Sequence, residues 1–548
     1  MKFPEELDME DTYDVVVIGS GFGGAVTACR LSQAGRSVCV LERGRRWRKE
    51  EFPRTTGQVT KAFWDPDRSY GFLEYRAFKR IDVIQGCGVG GGSLPYFNVQ
   101  FRPPPEIFEK RGWPGNVTGN SLGPYFDLVK DMLDAGPLAP PTGRKLPART
   151  EAFLAAARAA RKVSGFVDIA LHTGPDRLNP HGGVPQSACV YSGNCMLGCH
   201  VHAKNTLDLN YIPMAEKYGA RVFPLHMAEK IMREPSGGYR VQFRRFDESR
   251  QGCSEPGSVV GRTIIVSAGT LGSTELLLRC RDEHRTLPGL SRALGSRFSG
   301  NGDFLLAGTL DADRDVDPGY GPSITAYADF STPRNRITIE DLGFPDPVFW
   351  LIEGAMPRGS RLRDMVLFLK TYLLRSLGIG VKSSRVSDEI EAMLAGGRTS
   401  RFLPYLGMGT DAADGSLRLH NGVIDIAWSH RKSRRLFREI EAAMRDLSLG
   451  LNGKYLTSLI WWWPLRKLLT AHPLGGCIMG NEPVGSVVNH CGEVWNHPGL
   501  YVADGSVIPT ALSVNPSMTI AAIAERTAFW IRHGREMRQH DPESPRNR

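Results

Sequence analysis

Tyr13-Asp-Val-Val-Val-Ile-Gly19-Ser-Gly21-Phe-Gly-Gly24 runs into the Ala-rich stretch 25–34 and then Ser37-Val-Cys-Val-Leu-Glu42. The apolar run 15–18 ends in glycines and opens into helical spacing, which reads as strand, tight turn and helix in one βαβ unit of about 30 residues. Gly19 permits the sharp turn, Gly21 lets the backbone approach a pyrophosphate, and Gly24 lets the helix pack closely on the strand. The helix N-terminus then offers free N–H groups and a positive dipole end to the phosphates. Glu42 closes the second strand, where a carboxylate accepts the hydroxyls of an adenosine ribose and disfavours a 2′-phosphate, so the cradle suits FAD or NAD and not NADP.

The chain has 548 residues, too many for one ordinary core, so two or three domains are expected. Its composition, 41% hydrophobic and 23% charged, is that of an ordinary globular protein. The net charge of +10 is dispersed; the basic clusters 43–49 and 430–438 read as solvated faces, and no nucleic-acid-binding motif accompanies them. No apolar run reaches the ~18 residues of a membrane span, and the acidic stretch 1–12 is no signal peptide, so a cytoplasmic protein, at most peripheral to a membrane, is expected. Ten cysteines are too few for a disulfide scaffold in a chain of this length.

A second glycine cluster, Gly86-Cys-Gly88-Val-Gly90-Gly91-Gly92-Ser93, cannot be a helix or strand interior without cost and reads as a loop whose backbone approaches a ligand. Helical spacing covers 122–133 and 150–163, joined by the Pro-rich stretch 136–147. The cysteine-dense loop Cys189-Val-Tyr-Ser-Gly-Asn-Cys195-Met-Leu-Gly-Cys199-His200-Val-His202-Ala-Lys204 leads to a helix ending near Tyr218. Two short strands are expected within 220–244, about a Gly-Gly turn at Gly237, and a strand at 263–267 enters a Leu-rich helix, extending the first sheet. From 302 to 463 the alternating, turn-punctuated runs predict an antiparallel sheet with helices at 361–377 and 434–449; the strand at 499–505 and helix at 516–532 return to the α/β pattern. The fold class is α/β: a Rossmann-type nucleotide domain with a second α+β domain built on an antiparallel sheet.

Together the motifs Gly19 to Gly24 with Glu42, Gly88-Val-Gly-Gly-Gly-Ser-Leu94, Ser267-Ala-Gly-Thr-Leu-Gly-Ser273, Leu294-Gly-Ser-Arg-Phe-Ser-Gly-Asn301, Ala471-His472-Pro-Leu-Gly-Gly476, and Val502-Ala-Asp504-Gly-Ser-Val-Ile-Pro509 through Asn515-Pro516 resemble the glucose–methanol–choline (GMC) oxidoreductases, in particular the bacterial cholesterol-oxidase-like branch. The resemblance covers nearly the whole chain. It implies a non-covalent FAD held by Gly19, Gly21, Gly24, Glu42, Gly88, Gly91, Gly92, Ser93, Met227, Asp504, Gly505, Asn515 and Pro516. It also implies a discontinuous FAD domain, 10–120, 200–302 and 465–540, and a substrate domain with lid segments, 121–199 and 303–464. One departure stands out: Pro95-Tyr96-Phe97-Asn98 replaces the Val-Asn-Gly that follows Ser-Leu in the cholesterol oxidases, which alters the wall near the flavin ring.

Alcohol oxidation on a flavin needs a group to take the hydroxyl proton while hydride leaves the same carbon. The resemblance places His472 there, since imidazole titrates near neutral pH, with Asn515 bonding either the substrate hydroxyl or the flavin edge or capping the helix behind it. It suggests a third group, a glutamate, with Glu340 slightly preferred over Glu353. Cys189, Cys195 and Cys199 read as buried structural thiols and no metal is expected; the alternative is an iron–sulfur cluster, whose usual ligands are thiolates. The amphipathic stretches 365–377 and 456–469, the latter with Trp461-Trp462-Trp463, read either as core or as an apolar lid in transient contact with a membrane surface. The activity expected is oxidation of a bulky apolar alcohol, a 3β-hydroxysteroid above all, with oxygen or an unknown redox partner as acceptor. The alternatives are a sugar or polyol dehydrogenase with an iron–sulfur centre, and a flavin-binding protein without turnover.

Overall fold

Strand Thr12–Ile18 is buried on both faces over Val15 to Ile18, which is why it is a continuous apolar run rather than an alternating one. It pairs in parallel with Val38–Leu41 on one side and with Ser254–Val266 on the other. The computed structural model describes residues 9–110, 112–140, 142–250, 252–310, 312–345, 347–348, 401–461 and 466–537. Glu353, the helix expected at 361–377, the stretch 365–377, Trp462 and Trp463 lie outside the described residues.

The large sheet runs Arg221–Phe223, Val38–Leu41, Thr12–Ile18, Ser254–Val266, Tyr239–Phe246, His226–Arg233. Leu500–Val502 continues the edge of Ser254–Val266 beyond Tyr239–Phe246. The strand expected at 263–267 is therefore longer and begins at Ser254: its first half is a polar, antiparallel arm, and only its last residues carry the buried apolar signal. The stretch expected to hold two strands holds three.

Helix Phe22–Gln33 is buried along almost its whole length, and its small residues make that burial fit. A Cβ on Gly24 would lie 1.8 Å from the Gly19 carbonyl oxygen, and one on Gly23 1.4 Å from that of Ala503. Helix Ser517–Met537 packs beside it. Helix Gly119–Met132, expected in the second domain from residue 121, instead packs against Ser517–Met537, with Leu122, Phe126, Val129 and Met132 in the core of the large sheet.

The second sheet is antiparallel throughout: Lys454–Thr457, Phe304–Leu310, Leu403–Gly409, Ile337–Asp341, Ala326–Asp329 and Val163–Phe166. Helices Ala148–Ala159 and Arg434–Gly450 share its core. Two small sheets then determine what meets what. Ser296–Ser299 pairs with Leu474–Gly476, and Leu468–Thr470 pairs in parallel with Ile81–Gly86. The segments flanking residue 472 are thereby tied to residue 303 on one side and to the second glycine loop on the other. Among the described residues no helix is long and apolar enough to cross a membrane.

Candidate active site

A cavity of about 970 Å³ runs between the glycine turn and the antiparallel sheet, within the size range of cofactor and ligand sites. Gly19, Gly21, Glu42, Gly91, Gly92, Met227, Asp504, Gly505, Asn515, Pro516 and His472 all reach its wall. Gly24, Gly88, Ser93 and Glu340 lie behind it. Gly24 and Gly88 keep backbones in close contact, and Ser93 Oγ donates to the Gly90 carbonyl and accepts from Leu207 N–H at 3.0 Å.

The wall suits a dinucleotide. The starts of helices Phe22–Gln33, Gly269–Leu278 and Ser517–Met537 border it, so three helix N-termini, whose first N–H groups have no acceptor within their own helix, flank one space. Gly91, at φ +52°, backs onto the Gly21 Cα, while a Cβ on Gly92 would meet nothing within 4 Å and would project into open space. Glu42 is buried: Oε2 accepts from Ser20 N–H at 3.0 Å and Ser20 Oγ at 2.7 Å, and Oε1 from Gly44 and Gly88 N–H at 2.9 and 3.1 Å. The carboxylate expected to serve a ribose is thus also the clasp between the two glycine loops. Asp504 accepts from Gly269 N–H at 3.0 Å and Ser506 N–H at 2.9 Å, and burial raises its carboxyl pKa. Arg43 is paired with Glu74 and stacked 4.4 Å over Trp64, and Arg45 lies 3.7 Å over Trp47, so the basic run 43–49 is a bonded wall and not a bare solvated face.

At the other end His472 Nδ1 meets Asp303 Oδ1 at 2.9 Å. Asp303 Oδ2 accepts from Thr470 Oγ1 at 2.8 Å and Ala471 N–H at 3.0 Å, so the carboxylate is held before it holds the imidazole. Asn515 Nδ2 donates to Glu340 Oε2 at 3.3 Å; Asn515 Oδ1 and Glu340 Oε1 are buried and have no protein partner. Burial lifts the Glu340 carboxyl well above its ordinary value, with Asn515 opposing and Asp341 and Asp303 adding to the lift. Asn301 fixes the turn that delivers Asn515, donating to Val514 O and accepting from Leu512 and Ser513 N–H. Asp303 and Asn301 escaped the sequence reading as site residues. Both sit in a Ser-Gly-Asn-Gly-Asp turn, whose density of small and polar residues was the available signal.

Pro95, Tyr96, Phe97, Leu305, Phe344 and Leu406 make the neighbouring wall apolar, so the Pro95-Tyr96-Phe97 departure does face the cavity. Trp461 is core, packed on Phe304 at 5.1 Å and Phe437 at 5.8 Å, whereas Ser458, Ile460 and Leu469 reach the cavity. Among the described residues no group of three or more His, Cys, Asp or Glu side chains is placed to hold a metal ion. Burial pushes the Cys189 thiol up to about 12 and raises that of Cys199, which disfavours thiolates, while Met196 and Leu197 of the same loop line the cavity.

The chain matches the family described as GMC oxidoreductase over residues 464–524 and that described as FAD dependent oxidoreductase over 14–106. It is 30% identical to a cholesterol oxidase of Mycobacterium tuberculosis, covering 98% of this chain and 95% of that protein. It is 26% identical to a long-chain-alcohol oxidase of Arabidopsis thaliana, covering 93% and 67%. Among solved structures, pyridoxine 4-oxidase from Mesorbium loti shares the fold, with a TM-score of 0.61 at 17% identity, covering 95% of this chain and 99% of that one.

Proposed function

As a member of the GMC oxidoreductase family, this chain is an FAD-dependent enzyme acting on CH–OH groups, and we propose that its substrate is a bulky apolar alcohol, a 3β-hydroxysteroid first and a long-chain alcohol second. The observation that carries the reading is an imidazole–carboxylate pair, His472 and Asp303, whose imidazole reaches a cavity with an apolar stretch of wall at Pro95, Phe97, Leu305, Phe344 and Leu406. Bound FAD supplies the two-electron acceptor for the substrate carbon. With Nδ1–H donated to Asp303, His472 keeps its Nε2 lone pair for the hydroxyl proton, and the carboxylate stabilises the imidazolium that results. Asn515 offers a buried, unpartnered oxygen on the cavity wall for the substrate hydroxyl or the adjoining cofactor edge, backed by Glu340, whose protonated form burial favours.

Apolar walls favour fused rings or alkyl chains, at roughly 25 cal/mol per Å² buried, whereas a sugar's hydroxyls need polar partners that such walls lack. The similarity to two oxidases supports oxygen as the acceptor, and a substrate of low solubility implies collection from a lipid surface. The test is anaerobic mixing of purified holoenzyme with cholesterol, 1-decanol or glucose while flavin absorbance is followed. Bleaching by the first two is expected. Robust bleaching by glucose alone would overturn the reading and favour a sugar dehydrogenase.

A further inference from the structure

Lys204 is 1% exposed, yet among the described residues no carboxylate lies within ion-pair distance of its ammonium. Buried lysines are rare unless paired. This one donates instead to three main-chain carbonyls, those of Leu94, Tyr96 at 3.2 Å and Cys195 at 2.7 Å. Three protons converge on three acceptors, which satisfies the head group. Burial nevertheless lowers its pKa to about 8, so the charge is held at a cost. An unbranched apolar side chain would avoid that cost but leave three carbonyls without this donor, so what the ammonium supplies here is the tie between them.

The three carbonyls belong to two loops remote in sequence that form one stretch of cavity wall. Leu94 and Tyr96 flank Pro95 and precede Phe97, and Cys195 precedes Met196 and Leu197. The next residue completes the fixation, because the Tyr96 hydroxyl donates to the Asn205 carbonyl while the Lys204 ammonium sits 5.2 Å from the Tyr96 ring centroid. Asn205 is itself locked, its Oδ1 accepting from Gln186 Nε2 at 2.7 Å and Asn179 Nδ2 at 3.2 Å. Tyr96 is thus gripped at its carbonyl and at its hydroxyl by consecutive residues.

We infer that Lys204 is the positioning residue that sets substrate specificity: it locks the Pro95 to Phe97 wall to the Met196–Leu197 wall, and the cysteine loop exists to deliver that second wall to the alcohol. The inference rests on the cavity being the alcohol site. A rigid ring system depends on fixed complementarity, whereas a flexible chain adapts to a loosened wall, so unlocking the wall penalises the ring more.

The test uses holoenzyme carrying Lys204→Met, Met196→Ala or both, with cholesterol and 1-decanol as alternative substrates. Lys204→Met is expected to lower the cholesterol-to-decanol ratio of kcat/KM at least tenfold, with the change carried by KM for cholesterol. The double variant is expected to lose no more than the larger single effect, since both changes act on one wall. Lys204→Arg does not restore the ratio, because a planar fork cannot converge on three carbonyls from one nitrogen. Equal losses on both alcohols, or additive effects in the double variant, would overturn the inference. Failure of the wild type to oxidise either alcohol would instead overturn the substrate reading beneath it.

Discussion

Glu340→Gln tests the protonated carboxyl that burial favours beside Asn515. Glu340 is fully buried, and burial lifts its carboxyl well above 4.5, the value at which it ionises in the unfolded chain. Between those two values the folded state binds a proton that the unfolded state has released. The stability tied to this group is therefore complete below pH 4.5 and is lost as pH rises toward the folded value, at about 1.4 kcal/mol per pH unit. Glutamine keeps the shape and neutrality of the protonated acid and removes the dependence. Relative to wild type the variant should gain stability as pH rises above 4.5, by at most about 1.4 kcal/mol per pH unit. For 548 residues the unfolding entropy is about 1.2 kcal/mol/K, so each pH unit is worth at most about 1 °C in Tm. Melting curves of both holoenzymes at pH 5.5, 6.5 and 7.5, followed by circular dichroism, measure it. Parallel pH dependences, or a variant that loses ground as pH rises, would mean that Glu340 is ionised in the fold and would refute the argument.

His472→Ala should leave FAD bound and slow anaerobic flavin bleaching by alcohol about 10²–10⁴-fold, as read by stopped-flow absorbance. Asp303→Asn should slow it comparably: Ala471 N–H demands an acceptor at one position, so the amide NH2 turns to His472 Nδ1 and forces the proton onto Nε2. Gly92→Ala should fold normally but purify with less than the full FAD complement, because its methyl enters open cavity, whereas Gly23→Ala, 1.4 Å from the Ala503 carbonyl oxygen, should fail to fold; flavin-to-protein absorbance and soluble yield separate the two. Glu42→Arg should purify without flavin, since it removes the acceptor of Ser20, Gly44 and Gly88 N–H, each orphaned donor costing about 1–3 kcal/mol.

The two glycine turns were legible in the sequence alone, and the structure gives the reason. Gly19 needs φ +96°, Gly24 needs a bare Cα against the Gly19 carbonyl, and Gly91 needs one against Gly21. Such demands are met by the residue itself, so they appear in the residue type and its spacing. The run 15–18 likewise shows its burial in its own composition. Only the tertiary structure paired His472 with Asp303, 169 residues apart, and Asn515 with Glu340, 175 apart. Those meetings depend on the register of Ser296–Ser299 against Leu474–Gly476 and on Asn301 holding the 512–514 turn. Helix Gly119–Met132 has an apolar stripe that either core could bury, so its place was decided by the surface of Ser517–Met537. Lys204 is one lysine among the chain's many until three carbonyls from two loops converge on it. Backbone conformation and burial are properties of a residue and its neighbours in sequence, whereas the partner of a buried charge is a property of the assembled fold.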